Sequence, residues 1–199
     1  MQTKRSSCFE GELALISNAK LREFVTSFLD DLVPGYFYTV PASSTGKYHP
    51  SYALGNGGLV RHTKAAVKIA EDMLSLEQNE TLSALHHDNI ISALILHDTF
   101  KHGLNGGGYT KFEHPIFAAN AIILFAKEYR PELLSIAEEI SDLVITHMGQ
   151  WTTSKQSKLV LPKPQSEAQK FVHLCDYLAS RKYLTVDVKY EPQEEDQAE

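Results

Sequence analysis

Apolar residues recur along most of this chain at the three- and four-residue spacing of a helix, and hardly anywhere at the alternation of a strand. Leu21, Phe24, Val25, Phe28, Leu29 and Leu32 form the first such stripe, which Pro34-Gly35 ends. Residues 35–57 break the pattern with Pro41, Gly46, Pro50, Gly55 and Gly57. They predict a long loop, and long loops in compact domains are often functional. A second helix is expected over 59–76, with Leu59, Ala66, Ile69, Ala70 and Met73 on one face and His62 on the same face. A third is expected over 88–100, with Asp88 as its N-cap and His86-His87 in a solvated turn before it. A glycine-rich connection, 101–112, follows. Pro115 marks the first turn of a helix over 114–129. Pro131 opens a fifth, whose face of Leu133, Ile136, Ala137, Ile140 and Val144 continues to His147. After a second long loop, 148–165, Ser166 and Gln169 have the spacing of a capping box for a last helix reaching about Tyr183. The expected fold is all-α, a single compact multi-helix bundle.

Composition changes that picture little. The 199 residues suit one domain, and 43% hydrophobic with 22% charged content is ordinary for a globular protein. No apolar run approaches the roughly 20 residues that cross a bilayer, so no membrane partner is expected. The N-terminus leads into Glu10 and Glu12 rather than an apolar signal core. Two cysteines, Cys8 and Cys175, are too few for a disulfide scaffold, which points to the cytoplasm. Cys175 lies among Phe171, Val172, Leu174 and Leu178, as a small buried hydrophobe would.

Charge is uneven. Of the net −6, residues 187–199 hold six acids against Lys189, leaving about −1 for the rest. That acidic tail is expected to be disordered. A near-neutral body gives no footprint for broad duplex nucleic-acid binding, although a local basic cleft stays open.

The chemistry concentrates where an apolar run stops. Residues 90–96 end in His97-Asp98, and Lys101 follows three positions on. With His62 upstream and Asp176 downstream, two imidazoles and two carboxylates come from three helices, a donor set suited to a divalent metal of intermediate hardness. Adjacent residues point about 100° apart on a helix, so His97 and Asp98 can share a metal only at a helix end. A lone histidine on an apolar face is usually a hydrogen-bonded core residue, so neither His62 nor His147 persuades alone. A carboxylate amid Val172, Cys175 and Ala179 needs a partner or a metal, and the joint occurrence favours the metal.

Around that set, Lys101 reads as an ammonium for phosphoryl charge, against a helix-end lysine matched to the dipole. Arg61 reads equally as a phosphate clamp or a solvated arginine. Lys47, Lys64 and Lys111 add positive potential, and His49 in the long loop is a substrate contact. His102 lines the cleft without a role, and His173 is exposed or packed. The glycines at 106–108 are not a nucleotide P-loop, because no G-K-[ST] ending follows.

In this order, His62, His97-Asp98 and Asp176 resemble the HD superfamily of metal-dependent phosphohydrolases, over about residues 35–183. Within it the chain is most similar to the HD domain of bacterial 3′–5′ exoribonucleases. The stretch from Gly57 to Thr63 carries the likeness, with Ile145-Thr146-His147-Met148-Gly149 and the run from Glu167 through His173 and Asp176 to Leu178. It departs at Met148, where those domains have a second histidine, and no nucleic-acid-binding barrel fits before residue 35.

The resemblance implies an N-terminal helical segment (1–34) packed on an HD phosphohydrolase domain (35–186). It also implies His114 and His147 as ligands of a second ion bridged through Asp98. The cofactor would be one or two divalent ions: Mn, Fe, Co, Ni, Zn or Mg. The implied function is hydrolysis of a phosphate ester of a nucleotide or short oligonucleotide by metal-activated water, with Asp98 and Lys101 catalytic. The G-Y-P element of cyclic-dinucleotide HD phosphodiesterases is missing after His97-Asp98. A non-catalytic HD module that binds metal or nucleotide and signals through partners is the alternative.

Overall fold

The helical segment at the centre of the molecule is the one that is apolar on every side. A computed structural model describes residues 4–43, 45–184 and 187–192, and in it residues 90–96 are all buried. They close α4 (Glu80–Leu96), which packs against α3 (Gly58–Leu74), α6 (Leu134–Ile145) and α7 (Glu167–Ala179). A helix hydrophobic all round belongs in an interior. Among the described residues there are also α1 (Glu10–Ala14), α2 (Ala19–Asp31) and α5 (His114–Tyr129), the last lying along α6. No strand forms among them, and Ser154 and Ser157 make one isolated bridge. The fold is all-α, as the periodicity predicts.

Phe9, Leu13, Ile16, Phe24, Phe28 and Val33 share one core with the later helices. Phe28 meets Phe100 and Phe125 edge-on at 6.4 and 5.4 Å. The 35–57 segment folds into two short 3-10 turns, Gly35–Tyr38 and Ser51–Ala53, and Gly57 takes the left-handed conformation (φ 70°) just before α3. An added Cβ at Gly58 would strike the carbonyl of Ala53, so the loop closes tightly on the helix start.

Three expectations are corrected. α4 begins at Glu80, not Asp88, and His86-His87 lie inside it. The Asp88 carboxylate instead accepts the backbone N–H groups of Ser17 (3.0 Å) and Asn18 (2.7 Å), tying the turn before α2 to α4. α7 stops at Ala179, four residues short of Tyr183, although its Ser166–Gln169 capping box forms as expected. Of the tail, residues 187–192 lie against the body: Val188 and Tyr190 pack on the core, and the Tyr190 carbonyl accepts from Arg61 at 2.8 Å. The expected disorder of 193–199 falls outside the described residues.

Candidate metal centre

Helix ends bring the site together. His62 sits in the second turn of α3, His97-Asp98 follow α4 directly, His114 opens α5, His147 follows α6, and Asp176 projects from α7. Three imidazoles are oriented in the same way. Nδ1–H of His97, His114 and His147 donates to the carbonyl three residues earlier: Leu94 (2.7 Å), Lys111 (2.6 Å) and Val144 (2.7 Å). A carbonyl only accepts, so each neutral ring presents a bare Nε2 lone pair. Such second-layer bonds fix the tautomer of metal-binding histidines.

The lone pairs converge. His62, His97 and Asp176 form one group, Asp98, His114 and His147 another, and within each the potential ligand atoms lie within 4.8 Å of one another. Asp98 faces both. Its Oδ2 is 3.3 Å from His97 Nε2 and 3.7 Å from His62 Nε2. Its Oδ1 is 3.1 Å from His114 Nε2 and 3.7 Å from His147 Nε2. Asp176 Oδ1 is 2.9 Å from His62 Nε2 and 3.5 Å from His97 Nε2. His114 Nε2 and His147 Nε2 stand 3.1 Å apart. Two such lone pairs repel unless a proton or a cation lies between them. His97 Nε2 and Asp98 Oδ1 are moreover buried without a hydrogen-bond partner, an arrangement native interiors avoid. The donor set therefore suits a divalent cation, in either group or in both.

The same groups perturb one another's proton affinity. Burial opposes charge on Asp98, yet Lys101, His97 and His114 hold its carboxyl well below the usual range. Burial likewise opposes charge on Asp176, and His62 and His97 overcome it. Burial also works against charging His97, but Asp98 and Asp176 raise it to about 10. His147 goes the other way: burial, with His97 and His114 nearby, lowers it to about 3. Lys101 Nζ donates to Asp98 Oδ2 at 2.5 Å. Side-chain exposure is 18% at Asp176 and 11% at Lys101, against 2% or less at the other five candidate ligands, His62, His97, Asp98, His114 and His147.

The expected substrate contacts divide. His49 is at the site, its ring 5.3 Å from that of His62 and its Nδ1 buried without a partner. Burial and the nearby His62 and Lys101 lower its pKa to about 3. Arg61 is engaged elsewhere: its guanidinium donates to the carbonyls of Tyr52, Leu54, Asn56 and Tyr190 at 2.6–2.9 Å. Four of its five N–H groups are thus committed to holding the loop and tail on α3, which leaves no fork for a phosphate. Lys64 pairs with Glu12 at 2.7 Å, away from the cluster. Lys47 is exposed and lies over the Tyr48 ring, and Lys111 is exposed while its carbonyl holds His114.

Two supports carried no clear signal in the sequence. Tyr36 stacks on His102 (5.3 Å, 13°), donates to Gly103 O at 2.7 Å and accepts from His102 N–H at 3.2 Å, bracing the turn that carries Lys101. His173 Nδ1–H donates to the His147 carbonyl at 2.8 Å. A Cβ on Gly149 would collide with the His173 ring, and φ there is 61°, so only glycine lets α7 close over this turn. No known protein family, curated protein or solved structure matches the chain.

Proposed function

We propose that this chain is a metal-dependent phosphohydrolase that cleaves a phosphate ester of a nucleotide or short oligonucleotide. One observation carries the reading. Two groups of three nitrogen and oxygen donors meet at the carboxylate of Asp98, and among them His97 Nε2 and Asp98 Oδ1 are buried without a hydrogen-bond partner. The resemblance of the same residues to the HD phosphohydrolases supports it. In this reading His62, His97 and Asp176 hold one ion, His114 and His147 hold a second, and Asp98 serves both. A divalent cation held there supplies Lewis acidity toward phosphoryl oxygen and a source of hydroxide at neutral pH.

The protein's own groups do the rest. Lys101, ion-paired to Asp98 and partly open to solvent, places an ammonium where charge accumulates on a phosphoryl group. His49 faces the His62 side of the cluster and limits the room beside it. The buried imidazoles exclude bulk water, which strengthens every charge interaction within.

The test is phosphate release by purified protein with Mn²⁺, Mg²⁺, Co²⁺ or Ni²⁺, across nucleoside monophosphates, cyclic nucleotides and short RNAs. Turnover is expected with at least one ion and one substrate class. Asp98→Ala is expected to lower it by about three orders of magnitude or more, the scale of removing a group that stabilises the transition state. Its helical circular dichroism should persist. Silence across the whole screen, from protein that retains metal, would favour the non-catalytic module instead.

A further inference from the structure

Resting on the phosphohydrolase reading, we infer that Trp151 and Tyr177 form a stacking platform for the nucleobase of the substrate at the mouth of the metal centre. Trp151 leaves the turn after His147 and remains 45% exposed, a large aromatic surface that its ring neighbours cover only in part. It is held flat: its ring lies 5.7 Å from Tyr177 at an interplanar angle of 18°. The Arg181 guanidinium sits 4.1 Å from the Tyr177 ring centroid. Two planar groups thus lie against one tyrosine, and such a stack adds a further flat π-system readily.

The position matters as much as the stack. Tyr177 is the residue after Asp176, the candidate ligand most open to solvent, on the same helix. Trp151 also touches His173 edge-on at 5.9 Å, and His173 is bonded to the His147 carbonyl. The platform is therefore one ring removed from a ligand-bearing turn, and that turn is fixed by Gly149 closing on His173. A rigid aromatic face beside a phosphate-ester centre fits a base attached to that phosphate. Stacking of this kind tolerates any base and rejects a substrate without one.

The chain has a single tryptophan, so its emission reports on this residue alone. The full chain with Mg²⁺ is titrated with the methylenephosphonate analogue of AMP, whose C–P bond resists hydrolysis, and with methylphosphonate, which lacks the base. The nucleotide analogue is expected to change the emission saturably and methylphosphonate is not. By calorimetry, Trp151→Ala should weaken the nucleotide analogue about ten-fold, the order of one lost stacking contact, while Trp151→Phe keeps most of the affinity. Methylphosphonate affinity should not move in either variant. An unchanged emission, or equal affinity of Trp151→Ala for the nucleotide analogue, overturns the platform. Failure of the hydrolase reading looks different: base-dependent binding lost in Trp151→Ala, with no phosphate released from any ester. Conversely, if phosphate release favours AMP over ribose 5-phosphate by the same ratio in wild type and Trp151→Ala, the hydrolase stands and the platform falls.

Discussion

His97 and His147 have ring centroids 5.0 Å apart, yet their basicities move in opposite directions. Burial acts on both; at His97 the carboxylates of Asp98 and Asp176 outweigh it and it rises to about 10, while at His147 the neighbouring His97 and His114 reinforce it and it falls to about 3. Linkage gives the sign of each effect. His97 binds its proton more tightly folded than unfolded, so its contribution is complete below pH 6.5 and is lost as pH rises from 6.5 to about 10. His147 resists protonation when folded, so its contribution is complete above pH 6.5 and is lost as pH falls toward about 3. Chelator-treated protein should therefore be most stable near neutrality, with the urea midpoint declining on both sides. In His97→Gln the alkaline decline should flatten; an equally steep decline there would assign the effect to another group. Metal uptake at pH 7 must also displace the His97 proton. Calorimetry in buffers of different ionisation enthalpy should then show a proton released per ion bound at that group.

At the scale of helices, what the sequence made legible was whatever is encoded locally. The start of α5 is marked by Pro115 and that of α7 by Ser166 with Gln169, and both stand where those signals put them. The start of α4 is illegible because its first half has no buried residue and carries no apolar stripe, and because Asp88 resembles an N-cap. It does accept backbone N–H groups, but from residues 70 positions away, which no local pattern reveals. Asp88→Ala should cost about 1–2 kcal/mol in denaturant unfolding, as loss of a helix-capping carboxylate does, while leaving metal binding intact. The same division holds at the site. His62, His97, Asp98, His147 and Asp176 stand out in the sequence because each is a polar residue at the end or on the face of an apolar helix, whereas His114 enters only through the resemblance. Arg61 is illegible because its four carbonyl acceptors belong to a loop and the tail, and the roles of Trp151 and His173 because their contacts join a turn to α7, although His173 is packed as expected.

For the molecule as a whole, the cluster is also a fastener. Its donors come from α3, the ends of α4 and α6, the start of α5, and α7, so a cation held among them adds a joint to elements already packed in one core. Anything that binds only the folded state stabilises it by mass action, by about 2.7 kcal/mol at a hundred times the dissociation constant. For a chain of this size that corresponds to a rise in Tm of roughly 5–10 °C. Added Mn²⁺ or Co²⁺ should produce such a rise, and EDTA should reverse it. Two variants then separate holding the metal from using it. Asp98→Ala removes the carboxylate that faces both groups, so it should lose most of the shift together with turnover. Lys101→Ala removes an ammonium that cannot bind a cation, so it should keep the shift and lose at least ten-fold in turnover. If Lys101→Ala lost the thermal shift as fully as Asp98→Ala, its role would be to position the Asp98 carboxylate, and the charge opposite the phosphoryl group would have to come from elsewhere.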